Sequence, residues 1–144
     1  MQDYTGTWKT TWNNKTIYLN ISKVTNRYSE GLYVYIDYLI IKFKVIDINN
    51  NILFDNMNLP GDKAKIEGVN FKGGENKYLL GYGDSDLCGK WGFVSINFTD
   101  QTKTQLKWVY SEQENWLEPN CFYYGLPQDQ RPEPLPYDAI FTKQ

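Results

Sequence analysis

Histidine is absent from this 144-residue chain. That removes the commonest general base and the commonest zinc ligand together. It also excludes Ser-His-Asp and Cys-His nucleophilic sites. Cysteine occurs twice, at Cys88 and Cys121, too few for a Cys-only zinc site within one chain. Alanine occurs only as Ala64 and Ala139, which disfavours a helical protein. No stretch reaches the roughly 18 apolar residues of a membrane helix; the richest block, Leu32 to Ile48, is interrupted by Asp37, Lys42, Lys44 and Asp47. Excess positive charge is lacking too. The net charge is -2, against the clustered Lys and Arg of a nucleic-acid footprint. The composition implies no metal and no cofactor.

What the chain has in quantity is aromatic and Asn residues. Twelve Tyr, seven Phe and five Trp suit strands, and Asn suits turns. Gly6 to Trp12 reads as a first strand, followed by the turn Asn13-Asn14-Lys15. Thr16 to Val24 alternates, with Ile17, Leu19 and Ile21 on one face, and Thr25-Asn26-Arg27 is expected to turn the chain back. Gly31 to Ile48 is the longest regular segment, and its apolar parity shifts near Tyr38 to Ile41, which predicts a bulge or turn there. Lys90 to Phe98 alternates cleanly before a hairpin to Gln105 to Tyr110. Four prolines between Pro127 and Pro136 make Leu126 to Pro136 an extended surface loop exposing Leu126, Leu135 and Tyr137, and Asp138 to Lys143 a last strand. The expected architecture is all-β: one domain over residues 1–144, a single antiparallel up-and-down barrel of about eight to ten strands.

Gly6-Thr7-Trp8-Lys9 is the sharpest local signal. The glycine lets the chain pass close under a barrel end, and the tryptophan plugs it. Together with Leu135-Pro136-Tyr137-Asp138-Ala139-Ile140-Phe141-Thr142-Lys143, this start resembles a family of small uncharacterised exported proteins of Bacteroidetes, lipocalin-like in pattern. The likeness to the wider calycins (lipocalins, fatty-acid-binding proteins and avidins) rests on Gly6-x-Trp8. It implies that a basic residue near the last strand packs over that tryptophan, here Lys143. Gly6, Trp8 and Lys143 are therefore expected to be structural.

Met1-Gln2-Asp3 reads as an initiator Met before a mature N-terminus, so a signal peptide is taken to have been removed and the chain to be secreted, periplasmic or at the cell surface. In such a compartment Cys88 and Cys121 are expected to form a disulfide; two buried thiols are the alternative. Tyr33, Tyr35, Trp108, Tyr110 and Trp116 are candidate ligand-binding aromatics, since exposed rings bind by stacking and area burial. Asp84, Asp86, Glu112, Glu114 and Glu118 are the carboxylates from which a glycosidase-type pair could be drawn. Three functions stay open: a non-catalytic barrel, expected to be a monomer, holding a small apolar or aromatic ligand; an exported interaction module such as a protease inhibitor or surface adaptor; and, more remotely, a carboxylate-dependent hydrolase.

Overall fold

The computed structural model describes all 144 residues. Nine strands form: β1 (Gly6–Trp12), β2 (Lys15–Ser29), β3 (Val34–Ile46), β4 (Ile52–Asp55), β5 (Ile66–Phe71), β6 (Tyr78–Asp84), β7 (Lys90–Phe98), β8 (Gln105–Glu112) and β9 (Asp138–Lys143). Helix is limited to four three-residue 3-10 turns. Every pairing is antiparallel. The order β1-β2-β3-β5-β6-β7-β8-β9 closes back on β1 through Trp8 and Lys143, giving an eight-stranded up-and-down barrel. The short β4 pairs with β3 at Lys44 to Ile46, beyond the point where β5 meets β3 at Ile40 and Ile41. No helix is long and apolar enough to cross a membrane.

The two faces of each strand follow the period of two. Ile17, Leu19 and Ile21 point inward from β2, Leu39, Ile41, Phe43 and Val45 from β3, and Leu106, Trp108 and Tyr110 from β8. Twenty buried residues form one continuous core. It includes five large rings with almost no exposure, Trp8, Trp108, Tyr78, Phe43 and Phe141, packed with aliphatic side chains from β2, β3, β5, β6, β7 and β8. An eight-stranded barrel is just wide enough for side chains to fill, and here they do.

Three local expectations are corrected. Thr25-Asn26-Arg27 is not a turn but a bulge within β2: the β2–β3 register shifts between Val24 and Arg27, and Asn26 takes φ +56°. The pair runs on as a long hairpin to a turn at residues 30–33, where Tyr33 has φ +55°. Strand β3 itself runs unbroken past Tyr38 to Ile41. Its even-numbered Ile40 is buried on the outside of the barrel, against the turn at Gly61, so the change of parity reflects cover on both faces. Finally, Leu126 to Pro136 is only half a surface loop. Leu135 is 1% exposed and belongs to the core.

The two ends of the barrel are closed differently. At one end Tyr4 stacks on Phe98 with ring centroids 4.3 Å apart, and the Trp8 indole donates to the Tyr4 carbonyl at 2.9 Å. Lys143 Nζ lies 5.3 Å from the Trp8 ring centroid and donates to the Asp3 carbonyl. At the other end the proline strap crosses the opening, drops Leu135 into it, and is held where Trp108 Nε1 donates to the Pro136 carbonyl at 2.9 Å.

Candidate functional site

The second end holds the buried charges of the chain, Asp84 and Lys90. Strands β6, β7 and β8 finish or begin there, so their registers bring Asp84 opposite Lys90 and Glu112 opposite Gly92. Lys90, almost fully buried, forms an ion pair with Glu112. The Tyr137 hydroxyl lies 3.3 Å from Glu112 Oε2 and 3.2 Å from Glu133 Oε1, within reach of donating to either. Beside this group, Asp84 accepts from Tyr82 Oη at 2.9 Å and from Lys65 Nζ at 2.6 Å. Lys65 also donates to Asp86 at 2.7 Å. Each buried charge is thus paired and hydrogen-bonded, the condition under which burial is tolerated.

The tyrosines respond to this setting. Burial pushes Tyr82 far above the ordinary phenol value, with the Asp84 carboxylate adding to the effect. Burial, then the Glu112 carboxylate, likewise raises Tyr110 and Tyr137. Those two rings stack at 5.8 Å with planes 9° apart, and Tyr82 meets Tyr110 edge-on.

Over these residues lies the segment between β8 and the strap. The disulfide Cys88–Cys121, which forms as expected, ties it to the β6–β7 turn. Cys88 there adopts φ +57°. Further bonds fix the segment: Gln113 N to the Trp91 carbonyl at 3.0 Å, Trp91 Nε1 to the Glu114 carbonyl at 3.1 Å, and Asn115 Nδ2 to the Cys88 carbonyl at 2.9 Å. Leu87, Cys121 and Tyr123 bury a small second core beneath it, with the Tyr123 hydroxyl donating to the Leu87 carbonyl at 2.6 Å. A cleft of about 540 Å³ opens between this segment and the barrel end, floored by Lys90 and Glu112 and flanked by Trp116 and Arg131.

The five candidate aromatics separate into three places. Trp108 is fully buried and Tyr110 nearly so; both belong to the core, so neither presents a ring to a ligand at the surface. Tyr33 (81% exposed) and Tyr35 (70%) stand at the tip of the β2–β3 hairpin, away from the cleft. Trp116, 93% exposed, is the one that borders it. Among the carboxylates, Glu112 and Glu114 line the cleft, whereas Glu118 borders a separate hollow beside the disulfide. Asp84 and Asp86 do come together, but the Lys65 ammonium occupies the space between them, where a glycosidic oxygen would have to sit. No three His, Cys, Asp or Glu side chains cluster as a metal site. Sequence reasoning passed over Lys90, Lys65 and Arg131. Lys90 did carry a signal, since it falls on the inward parity of β7 with Gly92 and Val94.

Comparison with protein families, curated proteins and solved structures finds no match for this chain.

Proposed function

We propose that this chain is an exported, non-catalytic binding protein that uses a filled barrel as a rigid mount and takes its ligand outside, in the cleft at the strapped end. The observation carrying this reading is the packed interior. The space a lipocalin-like protein would offer an apolar ligand is occupied by Trp8, Trp108, Phe43, Phe141 and Tyr78, and Leu135 stops the mouth. The cleft, by contrast, has the volume of small-molecule sites, about 300–1,000 Å³, and a cross-linked wall. Export is supported by the disulfide, which persists in oxidising compartments, and by the likeness of both chain ends to exported barrel proteins.

A fluorescent fatty-acid analogue such as dansylaminoundecanoic acid tests this directly. No saturable rise in its emission is expected. A saturable rise abolished by apolar competitors would place the ligand inside the barrel and overturn the reading.

The interaction-module reading keeps one specific support. Tyr28, Leu32, Tyr33 and Tyr35 are exposed together at the hairpin tip, with the Tyr28 and Tyr35 rings 5.2 Å apart. It would be favoured over the cleft by a partner whose binding is lost on Leu32→Ser/Tyr33→Ser/Tyr35→Ser but survives Trp116→Ala.

A further inference from the structure

Trp116 makes no ring–ring or cation–π contact of the kinds that engage Trp8, Trp12, Trp91 and Trp108. Its indole is almost wholly hydrated, so it contributes little to the core. Yet the segment that bears it is tethered on both sides: the Glu114 carbonyl accepts from the Trp91 indole, the Asn115 side chain donates to the Cys88 carbonyl, and Cys121 is cross-linked to Cys88. A large flat ring held out in water on a tethered segment offers both faces for stacking.

The rest of the cleft selects what can stack there. Two cations, Lys90 and Arg131, face two carboxylates, Glu112 and Glu114. The lining thus carries no net positive charge to favour a phosphate or a polyanion. Apart from Trp116, Leu117 and Tyr123 its side chains are polar, unsuited to a lipid tail. Hydrogen-bonding capacity remains: Arg131 donates through Nε to the Leu126 carbonyl at 3.0 Å, leaving its terminal nitrogens, and Asn115 donates from Nδ2, leaving Oδ1 as an acceptor. An uncharged ring with C–H faces and a hydroxylated rim answers all three requirements.

We infer that this cleft is a carbohydrate-binding subsite: a neutral pyranose stacks on Trp116 and directs its hydroxyls to Arg131, Asn115 and the Glu112/Glu114 carboxylates. This rests on the reading of the cleft as the binding site and supplies its ligand class. Favourable stacking needs no net charge and draws on the same ring-face attraction that orders aromatic pairs; the amide, carboxylate and guanidinium groups supply orientation.

Calorimetric titration of the intact, oxidised protein with neutral hexasaccharides (cellohexaose, laminarihexaose, mannohexaose and N-acetylchitohexaose) tests the assignment. At least one is expected to bind saturably. Trp116→Ala should weaken that binding about tenfold, the effect of roughly 1.4 kcal/mol, while Trp116→Phe retains most of it and both variants melt with the parent. Arg131→Gln should weaken it without abolishing it. Absence of saturable binding by every neutral sugar at millimolar concentration overturns the assignment, as does sugar binding indifferent to Trp116→Ala. Binding of oligogalacturonate or of a peptide that needs Trp116, with no neutral sugar bound, overturns the sugar class and leaves the cleft standing as the site. Uptake of the fatty-acid probe is what would remove the cleft itself.

Discussion

Trp8 and Gly92 show how single positions hold this barrel. Trp8 is wholly buried, hydrogen-bonded to Tyr4 and covered by Lys143. Trp8→Ala should cost about 3 to 5 kcal/mol, read by urea denaturation. Lys143→Met should cost much less, since a cation–π contact near the surface is worth about 0.5 to 1 kcal/mol. Gly92 has a different task. A Cβ there would lie 2.3 Å from the Ser111 carbonyl oxygen and 2.6 Å from the Tyr110 ring. Gly81 points outward on β6 with open space around it. Gly92→Ala should therefore lower the melting temperature sharply or prevent folding, whereas Gly81→Ala should leave it unchanged or slightly raised. Equal effects of the two would contradict this packing. The Gly6-x-Trp8 role was legible in the sequence because it depends on a local pattern. The burial of Trp108 and Tyr110 was less so. Alternation sets them on one face with Leu106 and opposite Lys107 and Ser111, but it does not say whether a barrel interior is filled or open.

Among the elements, the stapled segment and the strap do the most to define the strapped end. Alternation located β7 and β9 with their observed limits, because those strands have one face on the core and one on water, and β1 was bounded by its Gly-x-Trp start and the turn at Asn13 and Asn14. It misplaced the β2 bulge, since Asn26 tolerates positive φ equally in a turn or a bulge. It also missed Leu135, because a proline-rich stretch lacks ladder donors whether it lies on the surface or under it. Cys88 and Cys121 enclose 33 residues of sequence separation, and the chain-entropy view values such a cross-link at about 3 to 4 kcal/mol. Cys88→Ser/Cys121→Ser should lose stability of that order. The barrel core does not include either cysteine, so far-ultraviolet circular dichroism of the folded variant should stay that of the parent, while order in the segment bearing Trp116 declines.

Taken together, six tyrosines, Tyr4, Tyr78, Tyr82, Tyr110, Tyr123 and Tyr137, are shifted upward, in each case chiefly by burial. The fold therefore keeps protons that the unfolded chain releases near the ordinary phenol value of about 10. Above that pH the native state binds more protons than the unfolded state, so stability falls as pH rises; below it this contribution is fully present. Alkaline unfolding should set in above about pH 10, with tyrosinate absorbance from these residues appearing together with loss of the barrel signal. Tyrosinate formation complete before any unfolding would contradict the packing of the strapped end. The carboxylates of that end were visible in the sequence as Asp84, Asp86 and Glu112, but their lysine partners were not, because Lys65 reaches the two aspartates through the pairing of β5 with β6, and Lys90 reaches Glu112 through that of β7 with β8.

The indole N–H resonances of the five tryptophans offer the most direct test of where this protein binds. Trp8 and Trp108 donate inside the barrel to Tyr4 and Pro136, while Trp116 stands free over the cleft. On titration of the labelled protein with the hexasaccharide that binds, the Trp116 resonance should move progressively and those of Trp8 and Trp108 should not. Movement of Trp8 and Trp108 with Trp116 unmoved would put the ligand inside the barrel and contradict a filled scaffold that binds at its strapped end.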